Sequence, residues 1–296
     1  MSGETLGFIG TGALGGPIAR KLMALGHPLI AYDKDPARQA AIVRDGAEAA
    51  VSARAVADRA AILFACLPAP EVSEAAAAEI AEGKAVELHI ELSTLGVPAV
   101  ERIAARLAAR NLAFLDTPVV GGAGGSAVAA GDIAFISAGP AAAFARARPL
   151  LQRLAKRVFH VGERHGQAQI CKMVNNAIGI TGFTIACEAM VMGAKAGIDP
   201  HLLLDIVNAG SGRCVATEEK FFRSILPRKL GEPGSIDIGL KDISLYVATL
   251  EQMGLPTRVG ATIMAIWQGA KAENPARGYS SIIEIFEGAA AVEVKG

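Results

Sequence analysis

The sequence has no surplus of charge of either sign and no cluster of metal-binding residues. Its 296 residues include 29 Lys and Arg against 29 Asp and Glu, which gives a formal net charge of zero. Nucleic-acid binders usually carry a basic patch, so this balance argues against a nucleic-acid partner. The four cysteines form no C-x-x-C pair and the five histidines are scattered, which argues against a zinc site. Three of the cysteines have apolar neighbours in sequence, so we expect reduced, buried thiols in a cytoplasmic protein.

Targeting and membrane segments are not expected either. A strand-like apolar run begins at Leu6, which leaves no room for a signal or transit peptide. Residues 173–194 are apolar over about the length of a membrane span, but Asn175, Asn176 and Glu188 interrupt them. We therefore predict a long buried helix and no membrane partner. With 52% apolar and 20% charged residues and a mean hydropathy of +0.37, the chain does not have the composition of a disordered protein.

The chain has two halves with different patterns. In the first half, short apolar runs alternate with Ala-rich helical stretches, which predicts about seven strands and a doubly wound parallel sheet. These strands are expected at 6–10, 28–33, 60–68, 85–93, 111–118, 132–139 and 157–162. Helices alone follow, and they are expected at 168–196, 200–209, 214–225, 239–253 and 257–273. The sequence thus predicts an α/β domain over residues 1–164 and an all-α domain over residues 165–296.

A glycine-rich turn joins the first predicted strand to the first predicted helix. Gly10, Gly12 and Gly15 form a G-x-G-x-x-G motif in this context. The first glycine permits a tight turn, the second lets backbone approach a pyrophosphate, and the third lets the helix pack close to the strand. The amide groups at the helix N-terminus then face the phosphates. We therefore predict a Rossmann-type dinucleotide-binding domain, with Ala13 and Leu14 also lining the cofactor.

Asp33 ends the second predicted strand, about 20 residues beyond the turn, where it is placed to bind an adenosine ribose. A carboxylate at this position repels a 2′-phosphate, so NAD is favoured over NADP. Lys34 and Arg38 are close in sequence and keep NADP as an alternative.

The predicted long helix carries an amine and an amide on one face. Lys172 precedes Asn176 by four residues, and positions i and i+4 of a helix are neighbours. A lysine in a low-dielectric cleft facing another domain can have a lowered pKa and serve as a general acid and base. The alternative is a solvated lysine near a helix start.

Motifs along nearly the whole chain occur in an order that is characteristic of one family. They are GFIGTGALGGPIA (7–19), CLP (66–68), ELST (91–94), DTPVVGG (116–122), KMVNN (172–176) and LKDI (240–243). With them the chain resembles the β-hydroxyacid dehydrogenase family, which includes 3-hydroxyisobutyrate dehydrogenase and tartronate semialdehyde reductase. The resemblance implies an N-terminal Rossmann domain that binds NAD(P) and an all-α domain that completes the active site and the oligomer.

The resemblance also implies roles for individual residues. Lys172 matches the catalytic lysine that exchanges a proton with the substrate hydroxyl, and Asn176 matches the amide that orients the substrate. Gly121 and Gly122 match the glycines whose backbone binds the substrate carboxylate. The positions that line the cofactor in the family correspond to Leu67, Pro68 and Thr94. Lys241 matches a lysine that reaches the cofactor and the site. Val120 departs from the family, which commonly has a serine there, so one substrate hydrogen bond is missing.

The function expected from these residues is NAD-dependent hydride transfer between nicotinamide and a small β-hydroxy acid or its semialdehyde. The cofactor supplies the redox chemistry, and no metal is required when a lysine carries the proton. A homodimer or homotetramer is expected from the resemblance. Two alternatives stay open: a reductase of imines or other carbonyls with the same architecture, and a non-catalytic nucleotide-binding module.

Overall fold

The computed structural model describes residues 3–121, 125–231 and 235–296. The chain divides into two compact units, residues 1–172 and residues 173–296, and the division falls within one long helix. The domain boundary placed after residue 164 from the sequence stays a prediction.

The described part of the first unit contains a nine-stranded sheet with the order β3-β2-β1-β4-β5-β6-β8-β7, in which β9 pairs with β8. Its strands are β1 (Leu6–Ile9), β2 (Leu29–Tyr32), β3 (Glu48–Ala49), β4 (Ile62–Ala65), β5 (Leu88–Glu91), β6 (Ala113–Asp116), β7 (Val119–Gly121), β8 (Ile133–Ala138) and β9 (Arg157–Gly162). All pairings from β3 to β6 are parallel, whereas β8 runs antiparallel to β6 and β7. The predicted α/β class is confirmed, and the short strands β3 and β7 are additional to the predicted ones.

Helices cover this sheet and make up the second unit. Those of the first unit are α1 (Gly15–Ala24), α2 (Pro36–Arg44), α3 (Ala53–Ala57), α4 (Pro70–Ile80), α5 (Val97–Ala108), α6 (Gly125–Ala130) and α7 (Ala141–Leu154). The long helix α8 (Gln167–Lys195) leads into α9 (Pro200–Ala209), a π-helix (Ala216–Ile225), α10 (Ile236–Gln252), α11 (Arg258–Glu273), a 3₁₀ helix (Tyr279–Ile282) and α12 (Ile283–Ala290). The predicted all-helical second half is thus confirmed, and α6 and α12 are elements that the pattern did not predict.

Both faces of the sheet are buried at the central strands β1, β4 and β5, which explains the nearly continuous apolar runs of these strands. In β1, Leu6 and Phe8 face one apolar cluster and Ile9 faces another. In β4, Phe64 faces the first of these clusters and Leu63 faces the second. Because successive side chains of a strand point to opposite faces, a sheet covered by helices on both sides needs apolar residues at every position.

Trp267 occupies the centre of the helical unit and is fully buried. Its indole Nε1–H donates a hydrogen bond of 2.9 Å to the Thr184 hydroxyl, which in turn donates to the Ile180 carbonyl of α8 at 2.8 Å. A Cβ at Gly239 would collide with the indole ring, so α10 packs against Trp267 where a side chain is missing.

Helix α8 is buried along one side and exposed along the other. Phe183, Cys187 and Met190 pack into the core of the second unit, whereas Ile178 and Met192 are 70% and 72% exposed. Helix α8 is long and apolar enough to cross a bilayer, but core helices of soluble proteins also have this length and composition. The predicted buried helix is therefore partly exposed, and the homo-oligomer expected above stays a prediction.

The first turn of α8 is anchored to the sheet by a buried amide. Gln169 Oε1 accepts the backbone N–H groups of Leu95 and Gly96 at 2.8 and 3.1 Å. Gln169 Nε2 donates to the Ser93 carbonyl at 3.1 Å and to Asp116 Oδ1 at 2.6 Å. All four hydrogen-bonding positions of this amide are used, which fixes the start of α8 against the ends of β5 and β6.

Burial raises the pKa of Asp116 from an ordinary value of 3.8 to about 7, against the opposing effect of hydrogen bonds from Gln169 and Gly166. Between about pH 4 and 7 the folded chain keeps a proton that the unfolded chain has lost. The contribution of this proton to the free energy of unfolding is complete below the pKa that Asp116 has in the unfolded chain. It is lost as the pH rises through the pKa that Asp116 has in the folded chain. We predict that, over this interval, the free energy of unfolding of the wild type falls by roughly 4 kcal/mol relative to that of Asp116→Asn.

Urea denaturation at a series of pH values measures this difference. Parallel pH profiles for the two proteins would contradict the protonated, buried Asp116.

Candidate active site

A cleft of ≈ 960 Å³ opens at the carboxyl ends of β1, β2 and β4. In the strand order the connections diverge between β1 and β4, which is where open α/β sheets bind ligands. The cleft is lined by most of the residues predicted to hold a dinucleotide: Gly10, Gly12, Ala13, Leu14, Gly15, Asp33, Leu67 and Pro68.

The glycine turn is as close-packed as the motif requires. Gly10 has a φ of +85°, and a Cβ there would collide with the Cys66 carbonyl oxygen. A Cβ at Gly15 would collide with the carbonyl oxygen of Gly10. Leu14 precedes α1 and supplies no side-chain cap, so N–H groups at the helix start are left for another acceptor. An uncapped helix start beside bare backbone at Gly12 fits a pyrophosphate.

Asp33 is held rigidly at the edge of this cleft. Its Oδ2 accepts the backbone N–H of Thr11 at 2.7 Å and the Thr11 hydroxyl at 3.1 Å. Its Oδ1 accepts the backbone N–H of Asp35 at 2.9 Å. Since a carboxylate oxygen accepts two hydrogen bonds, Oδ1 retains an acceptor position for a ribose hydroxyl. Sequence reasoning did not assign a role to Thr11, although it lies inside the glycine motif.

Two basic residues also line the cleft, Lys34 and Arg38. The Arg38 guanidinium lies 3.4 Å from the Asp35 carboxylate, so part of its charge is already balanced. These residues are the structural basis for keeping NADP as an alternative.

Thr94 does not line this cleft, but the neighbouring Ser93 supports a turn that does. The Ser93 hydroxyl accepts the backbone N–H of Leu67 at 2.7 Å and donates to Glu91 Oε1 at 2.5 Å. Because Glu91 is fully buried, this chain of bonds fixes the turn that carries Leu67 and Pro68.

Val120 and Gly121 end strand β7. Gly121 has a φ of +117°, and a Cβ there would lie 2.6 Å from the Asp132 carbonyl oxygen, so this position requires glycine. Val120 packs against the apolar cluster that contains Ile136 and Ala168. The predicted substrate position Gly122 lies outside the described residues.

Lys172 follows the anchored Gln169 by three residues and is partly buried. Because these two residues are neighbours on the helix, the bonds of Gln169 to the sheet also fix the place from which the Lys172 side chain extends.

Asn176 and Lys241 meet at a buried carboxylate in the second unit. Asn176 Nδ2 donates to Asp242 Oδ2 at 2.7 Å, and the Lys241 ammonium lies 3.3 Å from Asp242 Oδ1. Asn176 Oδ1 accepts from Asn175 Nδ2 at 3.1 Å, so both ends of the Asn176 amide are oriented. Asp242 was missed as a site residue, although it lies in the LKDI motif that identified Lys241.

Two family models match this chain. A family model for the NAD-binding domain of 6-phosphogluconate dehydrogenase matches residues 5–162. A second model, the NAD-binding domain of NADP-dependent 3-hydroxyisobutyrate dehydrogenase, matches residues 166–286.

Individual relatives match over almost their whole length. The chain is 32% identical to 3-hydroxyisobutyrate dehydrogenase of Pseudomonas aeruginosa, over 96% of this chain and 98% of the relative. It is 28% identical to 2-(hydroxymethyl)glutarate dehydrogenase of Eubacterium barkeri, over 98% and 97%. Its fold matches Mycobacterium tuberculosis 3-hydroxyisobutyrate dehydrogenase, solved with L-serine, with a TM-score of 0.87, 24% identity and coverage of 96% and 99%.

Both domain models and the relatives point to the same class of oxidoreductase, and the fold match shows the same architecture, a Rossmann-type domain followed by a helical domain. The chain therefore belongs to the β-hydroxyacid dehydrogenase family.

Proposed function

We propose that this protein is an NAD-dependent dehydrogenase that interconverts a small 3-hydroxy acid and its semialdehyde, with Lys172 as general acid and base. The observation that carries the proposal is the pair Lys172 and Asn176 on one face of α8, with Asn176 held by Asp242. An amine and an oriented amide at i and i+4 suit a substrate hydroxyl that must be both positioned and deprotonated.

In the direction of oxidation the Lys172 amine takes the proton of the substrate hydroxyl while the carbinol C–H leaves as hydride. A nicotinamide bound in the cleft supplies the acceptor for that hydride. In the reverse direction the Lys172 ammonium returns the proton to the oxygen of the aldehyde. Asn176 orients the same oxygen, and Gly121 offers backbone where a substrate carboxylate binds.

The preference for NAD rests on Asp33. Its fixed carboxylate has a free acceptor position for a ribose hydroxyl and would repel a phosphate on the same ribose. Arg38, the residue that would best receive such a phosphate, already faces Asp35. NADP is the second candidate cofactor.

Substrate identity is proposed from the shared chemistry of the relatives. The names of two of them specify 3-hydroxyisobutyrate and 2-(hydroxymethyl)glutarate, both of which have a hydroxymethyl group next to a carboxylate. Val120 offers no hydroxyl to such a substrate, which favours one bulkier or less polar than hydroxyisobutyrate.

Val120 also favours a second candidate, a reductase of imines or other carbonyls with the same architecture. Lys172 distinguishes the two, because reduction of an imine does not require a base for an alcohol proton. A non-catalytic nucleotide-binding module would bind NAD and turn over neither class of substrate.

We predict that Lys172→Ala lowers kcat for hydroxy-acid oxidation by about 10²–10⁴ and leaves the Kd for NAD nearly unchanged, because a positioned acid or base contributes about this factor. Wild-type oxidation should accelerate with rising pH as the amine loses its proton, and the variant should lose this dependence. Steady-state absorbance at 340 nm measures turnover, and calorimetry measures the Kd.

Lys195→Ala, a change near the other end of α8 where the side chain bonds the Ala290 carbonyl, is the matched control. If Lys172→Ala oxidised the substrate as fast as Lys195→Ala, Lys172 would have no part in the mechanism.

Asp33→Ala tests the choice of cofactor. We predict that it weakens NAD binding by about 10–100-fold, the value of a hydrogen bond to a charged group, and weakens NADP binding much less. The ratio of the two Kd values is the readout, since loss of the Thr11 bonds disturbs the glycine turn for both cofactors. Asp45→Ala, which removes an exposed carboxylate paired with Arg20, serves as control. Equal losses for NAD and NADP would exclude Asp33 as the ribose ligand.

A further inference from the structure

Lys220 places an ammonium group against two aromatic rings in the core of the second unit. The residue lies on the π-helix, and its Nζ is 4.7 Å from the centroid of the Phe183 ring and 4.2 Å from that of Tyr279. Cation–π contacts of this kind stabilise a partly desolvated cation. Segments of π-helix are rare and are frequently found at functional sites.

Among the residues that the structure describes, the Lys220 ammonium has no hydrogen-bond acceptor and no carboxylate within ion-pair distance, and the residue is only partly buried. The charged and titratable groups around it are Cys187, Cys214, Glu219 and Arg223. Burial is the main cause that lowers its pKa to about 8, so the side chain is mostly a cation at neutral pH. A partly buried cation without an anion is costly, and pairing it with a carboxylate recovers free energy.

This cation packs against a ring on the same helix as the amide proposed to orient the substrate. Phe183 follows Asn176 by seven residues, which places it on the same face of α8 and about 10 Å further along the axis. Side chains of a helix lean toward its N-terminus, so the Phe183 ring leans toward Asn176. Tyr279, the second ring that contacts Lys220, is linked to the same amide. The charge of Asp242, the carboxylate that accepts a hydrogen bond from Asn176, contributes to the raised pKa of Tyr279.

We propose that Lys220 binds a second, distal carboxylate of the substrate and thereby makes the enzyme selective for dicarboxylic 3-hydroxy acids. The inference rests on the proposed function, because it takes Asn176 to mark the reacting end of the substrate. Tyr279 assists at the same place, because burial raises the pKa of its hydroxyl and so keeps the O–H as a donor.

The test compares Lys220→Met with the wild type on two substrates that differ at one end. These are 3-hydroxy-2-methylpropanoate, a monocarboxylate, and 2-(hydroxymethyl)pentanedioate, which adds a second carboxylate to the same reacting group. We expect the variant to raise KM for the dicarboxylate by about 10–100-fold, the effect of losing a charge-assisted hydrogen bond. The KM for the monocarboxylate should change by less than about twofold. Lys229→Met, which changes an exposed lysine just beyond the π-helix, should alter neither KM.

The pH dependence separates ion pairing from a packing role. The wild-type ratio of kcat/KM for the dicarboxylate to that for the monocarboxylate should fall above about pH 8, as the Lys220 ammonium loses its proton. Taking the ratio cancels the titration of Lys172. Lys220→Met should have a flat ratio, and Tyr279→Phe should lower the ratio while keeping its pH dependence.

Calorimetric titration of the NAD complex with pentanedioate and with butanoate needs no turnover, so failure of the proposed function does not affect it. We expect pentanedioate to bind the wild type more tightly than butanoate, and Lys220→Met to abolish the difference. Equal affinities in the wild type, or equal effects of the substitution on both ligands or both substrates, would overturn the assignment. Turnover of neither hydroxy acid, with selective pentanedioate binding retained, would instead count against the proposed function.

Discussion

The close approach of α1 to the ends of β1 and β4 is the constraint on which the cofactor site depends. This approach is possible because Gly10 and Gly15 have no side chains where Cβ atoms would meet carbonyl oxygens. It leaves the uncapped start of α1 beside the cleft, where it provides N–H groups and a positive dipole end for phosphates. Asp33 then braces the turn through Thr11, so the residue proposed to bind the ribose also holds the loop proposed to bind the pyrophosphate.

Buried polar groups fix the side chains proposed to act on the substrate in the same way. Gln169 uses every hydrogen-bonding position of its amide to tie the start of α8 to the sheet, one turn before Lys172. Further along the helix, Asp242 orients the Asn176 amide. Catalysis by a positioned base needs this support, because a small displacement of the base from the substrate hydroxyl is costly in rate. Each anchor thereby limits where a group proposed to face the substrate can lie.

Local patterns in the sequence were sufficient to predict the elements that are long or that carry a clear motif. The glycine turn, Asp33 at the end of β2 and the strand β9 at residues 157–162 were all predicted, since each depends on neighbours in sequence. The strand β7, the antiparallel direction of the predicted strand β8, the two-residue β3 and the helices α6 and α12 depend on packing partners that no periodicity reveals. Three of the four cysteines are partly exposed, although apolar neighbours in sequence suggested burial. Gln169, Asp242 and Lys220 were missed for a related reason, because their importance comes from residues between 37 and 76 positions away.

Direct transfer of hydrogen between nicotinamide and the carbinol carbon tests the account most directly. The measurement is reduction of 2-methyl-3-oxopropanoate with NADH carrying deuterium at either face of C4, followed by NMR of the alcohol product. The account predicts deuterium at the carbinol carbon from one of the two labelled cofactors and none from the other. A product without deuterium from either cofactor, or a chain that binds NADH and leaves the aldehyde unreduced, would contradict it.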